Sequence, residues 1–437
     1  MMIWCAVAIA IATVIAMTCC AVPAGAAELR AGVADVLITP LPPGMQGAPD
    51  LFRSGEPLYL DGYWPARPQS GVHDDLHVKA LVLDDGEKRI ALLSLDLIYL
   101  YAQWVDAIKR AAVGFDPRNV VVTCTHTHSA PCTIGIFGPQ GKAINLDYVS
   151  WVIGRSLQAI GQAAANLRPA KIAFGAADLQ ITTEQREGKP ERVMANVAHN
   201  WHNPGVFDPS VAVMLVKDAT SGENIATMVN FGSHPDALPE TSTVVSSDWA
   251  MYLYRDVSKA LGGVTLFING ACGGIEPADM SGSEQWLERM GTTLAKTAIQ
   301  AARSAEPVEN PAIKIACQRV RFPVTNTELM GEIRKGVIPV QLESDNTTPC
   351  DMELIAIGPA EMITIPGEPH PEFTAKLKQI MTGKYKFVLA VANHCLGYFV
   401  AKETWDPKGV QESLSAGHEI EDVALTATRS LHAAIAK

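Results

Sequence analysis

Short apolar runs, broken by turn residues, alternate along this chain with longer segments of helical period. Val78-Lys79-Ala80-Leu81-Val82-Leu83 and Ile90-Ala91-Leu92-Leu93-Ser94-Leu95 flank Asp84-Asp85-Gly86, which predicts a hairpin. Tyr101 to Val113 has helical periodicity, and Val120-Val121-Val122-Thr123-Cys124 reads as a buried strand. A long helix is predicted from Asp147 to Leu167, capped by Asn145 or Asp147 itself. Val211 to Val216 and Ile225 to Phe231 form a second predicted hairpin across Asp218-Ala219-Thr220-Ser221-Gly222. Beyond it come a helix at Asp248 to Leu261, a strand at Val264 to Phe267 and a helix at Ser283 to Ala305. The remaining expected strands are Ile313 to Phe322, Leu354 to Ile357, Met362 to Ile365 and Lys386 to Val391. Helices at His370 to Met381 and Ile420 to Ala434 accompany them. This alternation predicts an α/β fold, mixed sheets flanked by helices, with no internal repeat. Pro40 to Gly71 is the longest irregular segment, and such a loop is expected to line or cover a site.

The amino end stands apart. Met1 to Val22 is nearly continuous apolar sequence followed by Pro23-Ala24-Gly25-Ala26-Ala27, the pattern of a secretory signal over residues 1–27. The segment has no Lys or Arg, so an uncleaved membrane anchor is the alternative. Residues 28–437 then form one exported domain, secreted or periplasmic, with no later run of the ~20 apolar residues that a spanning helix needs. Six cysteines remain after the signal, and export permits disulfides; Cys317 with Cys350 is a candidate bridge. Hydrophobic residues make up 48% of the chain, which excludes a disordered polymer. A net charge of −11 argues against nucleic acid as partner.

Candidate chemistry sits where the predicted strands end. Thr125-His126-Thr127-His128-Ser129 follows the strand Val120 to Cys124; in extended conformation His126 and His128 share one face. Val229-Asn230-Phe231-Gly232-Ser233-His234-Pro235 places another histidine just beyond a strand. Pro366-Gly367-Glu368 and Asn393-His394-Cys395-Leu396-Gly397-Tyr398 add a carboxylate and a phenol in the same setting. Two histidines and a carboxylate form a hydrolytic zinc set with one position open to water or substrate.

These segments, with Gly32-Val33-Ala34-Asp35-Val36-Leu37-Ile38-Thr39-Pro40 and Gly273-Gly274-Ile275-Glu276-Pro277, occur in the order found in the neutral, non-lysosomal ceramidases. The chain resembles the amidase domain of that family over nearly its whole mature length. The resemblance implies zinc held by His126, His234, Glu368 and Tyr398, with His128 facing the substrate and Arg186 matching the family's active-site arginine. It also implies a small-molecule or lipid amide substrate. Two departures alter the substrate side: Glu276 stands where the family has a serine, and the family's second tyrosine, expected near Val410, is missing. No counterpart of its C-terminal immunoglobulin-like module occurs in these 437 residues.

Roles remain open for several groups. His128 is expected to act as general acid, oxyanion donor or support to the ligands. Glu276 is a candidate general base, amine-recognising group or turn cap. Asp248 is expected to cap a helix or back His234, and Asp96 to orient a ligand histidine. The expected activity is zinc-dependent hydrolysis of an N-acyl substrate. An esterase or lactonase on the same scaffold and a silent ligand-binding relative are the alternatives.

Overall fold

Apolar runs with no polar face require cover on both sides, and the structure supplies it in four layers. A computed structural model describes residues 28–436 except 49, 66, 140–142, 187–188, 196, 280 and 310; the side chains of 185, 186 and 189 are likewise outside it. The expected signal, residues 1–27, lies outside the described residues.

Nine strands build the central sheet. At its middle, Arg30–Leu37 and Arg168–Asp178 meet antiparallel at Arg30↔Pro169. On one side the predicted hairpin His77–Asp84 and Arg89–Leu95 forms with Val78 opposite Leu95, and Val120–Cys124 adds parallel to it. On the other side Ser210–Asp218 and Asn224–Phe231 form the second hairpin, and Val264–Asn269 again adds parallel. Each half therefore runs hairpin, helix, parallel strand, long helix. The helices are Ala102–Ala111 and Leu146–Ala165 in the first half, Ala250–Leu261 and Glu284–Arg303 in the second. No sequence repeat announces this; the repeat is one of topology.

Glycines mark the same place in both halves. A β-carbon on Gly32 would lie 2.1 Å from the Ala163 carbonyl, and one on Gly175 2.1 Å from the Ala301 carbonyl. Each middle strand thus gives up a side chain where the long helix crosses it. Within the strands, residues alternate between two cores. Val78, Ala80 and Val82 face the helices, whereas Leu81 and Leu83 face a second sheet.

That second sheet comprises Ile313–Pro323, Thr347–Ile357, Ala360–Thr364 and Tyr385–Leu389, the last pair parallel. Phe174 of the central sheet packs between the layers, 5.9 Å from Phe387 and 6.1 Å from Tyr385 by ring centroid. Helices Pro371–Ile380 and Ile420–Ile435 cover the outer face.

Several elements escape the hydrophobic pattern. Arg168–Asp178 is poor in β-branched residues, the hairpin Ile181–Arg186 with Lys189–Met194 is polar, and helix Thr327–Arg334 has no fully buried residue. The expected Cys317–Cys350 bridge does not form, and all six described cysteines are free. Cys317 pairs across the ladder with Glu353 and Cys350 with Val320, so an odd offset puts the two sulfurs on opposite faces.

Candidate metal centre

Face-to-face packing brings the carboxyl ends of strands from both sheets to one edge of the molecule. His126 and His234 lie just beyond strands of the central sheet, and Glu368 and Tyr398 lie in short strands beyond Ala360–Thr364 and Tyr385–Leu389 of the second. Glu368 and Tyr398 are themselves partners in a short parallel pairing, which sets them side by side.

The two histidines are aimed by their backbones. His126 Nδ1 lies 3.1 Å from the Ile98 carbonyl, and His234 Nδ1 lies 3.1 Å from the Ile275 carbonyl. A carbonyl only accepts, so each Nδ1 carries the proton and each Nε2 lone pair points away. Both Nε2 atoms point at Glu368, whose Oε2 lies 3.2 Å from His126 and 3.0 Å from His234. The Tyr398 hydroxyl stands 3.4 Å from His234 Nε2. Bonds of ~2.0–2.1 Å to one tetrahedral ion separate neighbouring donors by about 3.4 Å, so the set has the spacing of a small divalent cation's ligands. All four side chains are buried or nearly so.

The route to this convergence differs from the expected extended strand. His126 takes φ 72°, the left-handed region that few non-glycine residues adopt. The chain turns there, and the turn brings His128 Nε2 to 3.4 Å from His126 Nε2. The ligand atoms of His126, His128 and His234 all fall within 4.8 Å of one another, so His128 stands beside the ion-holding set. Burial, then the charges of His126 and His234, push the pKa of His128 well down and keep its ring neutral. For His234 burial opposes the charged form, but Glu276 and Glu368 override it and raise the pKa to about 10. Glu368 is held well below the carboxylate range: burial works against this, and His126 and His234 prevail.

The long irregular segment lines the site as expected. Tyr63 sets its ring edge-on to His128 at 5.2 Å and donates its hydroxyl to the Asp236 carbonyl at 3.0 Å. Arg67 donates to the carbonyls of His128 and Ser242.

Glu276 takes a place other than the one expected for a general base. Its Oε1 lies 3.7 Å from His234 Nδ1, the side of the ring facing away from Glu368. It backs a ligand and is not among the residues lining the cavity. Arg186 closes the strand Ile181–Arg186 in the small sheet that ends with Ile275–Pro277, and its side chain lies outside the described residues. Asp96 bonds neither His126 nor His234 among the described residues: it accepts from Tyr254 and from the His77 amide. Asp248 accepts from the amides of Ala237, Leu238 and Trp249, pinning the loop after His234 to the start of a helix.

Three residues that the sequence pattern passed over belong to the site. Tyr99 donates to Glu368 Oε1 at 2.5 Å. Asn269 donates to the carbonyls of Thr125 at 3.0 Å and Ser233 at 2.9 Å, tying the two histidine loops together. His370, fully buried, packs its ring 5.9 Å from that of Tyr398. All three lie at or just past the end of an apolar strand run, the signal that flagged the candidate ligands.

A cavity of about 510 Å³ opens onto the centre. Tyr398, Glu368, His126 and His128 form its polar end, and Ile134, Phe137, Leu329, Ile333 and Leu396 are among its apolar walls.

Fold and site together define a four-layer α/β protein with a buried histidine–carboxylate centre of the kind that ligates metal. Residues 58–261 match the model of the family of neutral/alkaline non-lysosomal ceramidases, N-terminal domain, and the chain is similar to the neutral ceramidases. His126, His128 and His234 lie within the matched stretch; Glu368 and Tyr398 lie beyond it. The neutral ceramidase of Pseudomonas aeruginosa is 23% identical over 257 residues, covering 53% of this chain and 36% of that protein. In structure, the neutral ceramidase from Pseudomonas aeruginosa superposes with a TM-score of 0.71 at 16% identity, over 93% of this chain and 74% of that one. A ceramidase complexed with C2 gives a TM-score of 0.73 at 14% identity, over 94% and 75%. The fold is that of the neutral ceramidases.

Proposed function

We propose that this chain is an exported, zinc-dependent hydrolase of N-acyl amides whose substrates carry a hydrocarbon chain. The observation that carries the proposal is the convergence of two Nε2 lone pairs and a buried carboxylate on one point at the polar end of an apolar cavity. A nitrogen- and oxygen-donor set at this spacing suits zinc. The apolar segment at residues 1–22 supports export.

When bound, the ion would activate water near neutral pH and polarise the scissile carbonyl. His126, His234 and Glu368 would hold it, with Tyr398 beside them. Tyr99 keeps Glu368 in place by donating to the oxygen that faces away from the imidazoles. His128, neutral and within reach of the same space, is placed to hydrogen-bond the amide oxygen as charge develops there. Glu276, 3.7 Å from His234 Nδ1, would help hold that ring in orientation from behind. The apolar walls take the acyl chain and exclude water from the reacting end.

Assays on ceramide, short N-acyl amines and activated esters in parallel test this. Amide cleavage that a strong chelator abolishes and zinc restores is the expected result. Turnover unaffected by chelation, or cleavage of esters alone, would contradict it.

A further inference from the structure

Seven large apolar side chains stand exposed among the described residues, and three of them, Trp64, Val410 and Leu414, also line the cavity. They ring its mouth from two sides. Trp64, 61% exposed, leans on Phe137 with ring centroids 5.8 Å apart. Val410, also 61% exposed, begins the short helix Val410–Ser413, and Leu414 follows it. A fourth exposed apolar residue, Trp201, adjoins His202, which bonds Glu412 of that helix at 2.8 Å. Exposed apolar groups scattered singly need no explanation, but a cluster around one opening marks a contact surface. Indole rings in such a cluster favour the boundary between hydrocarbon and water.

We infer that this rim docks the protein on a zwitterionic lipid surface, so that an acyl amide passes from bilayer to cavity without crossing water. The inference rests on the substrate proposed above, because a long-chain amide resides in a lipid phase rather than free in solution. Charge selects the kind of surface. The chain carries a net −11, and exposed Glu240 lies at the cavity, so anionic headgroups would repel the face that neutral phosphatidylcholine admits.

The test is co-sedimentation of the full chain with phosphatidylcholine vesicles. Wild-type protein is expected to bind, and the double variant Trp64→Ser, Val410→Ser to bind roughly tenfold more weakly. Val113→Ser, a more exposed site (92%) just beyond helix Ala102–Ala111 and not among the cavity's lining residues, should bind as wild type does. Wild-type protein supplies a second readout that needs no double variant. Dibrominated phosphatidylcholine should quench part of its indole emission, and Trp64→Phe should shrink the quenched part. Wild-type protein that ignores the vesicles, a double variant that binds equally well, or self-association through the rim without lipid binding would overturn the inference. The two proposals fail separately. Hydrolysis of a soluble short-chain amide without vesicle binding sinks only the docking; vesicle binding with no hydrolysis of any amide sinks only the activity.

Discussion

The two halves of the central sheet share one topology and use it in opposite ways. In the first half the proposed ligand His126 follows the parallel strand Val120–Cys124, and the carbonyl that fixes its tautomer, Ile98, follows the neighbouring hairpin strand. In the second half the proposed ligand His234 follows the hairpin strand Asn224–Phe231, and its carbonyl, Ile275, follows the parallel strand Val264–Asn269. Each half thus presents two adjacent strand ends, one bearing an imidazole and the other its backing carbonyl, with the assignment reversed. The topology supplies parallel ends within reach of one another. Which end carries the chemistry is left to the residues in the loops. Symmetry of the scaffold is broken again by support: Glu276 backs His234, while behind His126 the Ile98 carbonyl has no carboxylate beside it among the described residues.

If the halves contribute equally, His126→Ala and His234→Ala should each abolish stoichiometric metal binding and lower hydrolysis by about a thousandfold or more, read by metal analysis and single-substrate kinetics. Retention of metal in either variant would break the equivalence. Asn269→Ala cuts the tie between the halves. We expect a loss of roughly 2–3 kcal/mol in urea unfolding, from unpaired buried carbonyls, and metal binding weakened about 10–100-fold. Glu276→Gln touches only the second half, and a drop of about tenfold in metal affinity with an unchanged unfolding midpoint sharpens the contrast.

A further effect lies outside the comparison of the halves. His394 accepts from the Ala102 amide at 3.2 Å and sits 3.0 Å from the Thr348 hydroxyl; burial first, then Arg319, lowers its pKa to about 3. Its folded pKa is below the unfolded value of ~6.5, so the unfolded chain takes up the proton more readily. The neutral ring's contribution is complete above about pH 6.5 and is lost as pH falls toward 3. Urea midpoints between pH 7 and 4 should decline more steeply for wild type than for His394→Gln.

Much of this was legible in the residues because buried strands leave continuous apolar runs and functional groups cluster where those runs stop. Val120–Cys124 followed by His126 and His128 is the clearest instance. Periodicity speaks only of which face is apolar, and so it missed what the second half of the site depends on. Asn269 looks like any polar residue after a strand until Thr125 and Ser233 are brought to it from remote parts of the chain. The extended geometry expected at His126 failed because a left-handed turn, and not strand alternation, points the ring inward. The motif leaves Glu276 open as general base, amine-recognising group or turn cap; only the structure reveals which side of His234 it approaches. The absent Cys317–Cys350 bridge has the same cause, since pairing register is a property of the ladder.

Zinc titration of the purified chain, with an anomalous-scattering crystal structure of the loaded protein, addresses the central claim most directly. The account predicts one ion per chain within bonding distance of His126 Nε2, His234 Nε2 and Glu368. An ion held instead at the Cys317, Asp351 and Glu353 cluster, or none retained at stoichiometric zinc, would contradict it.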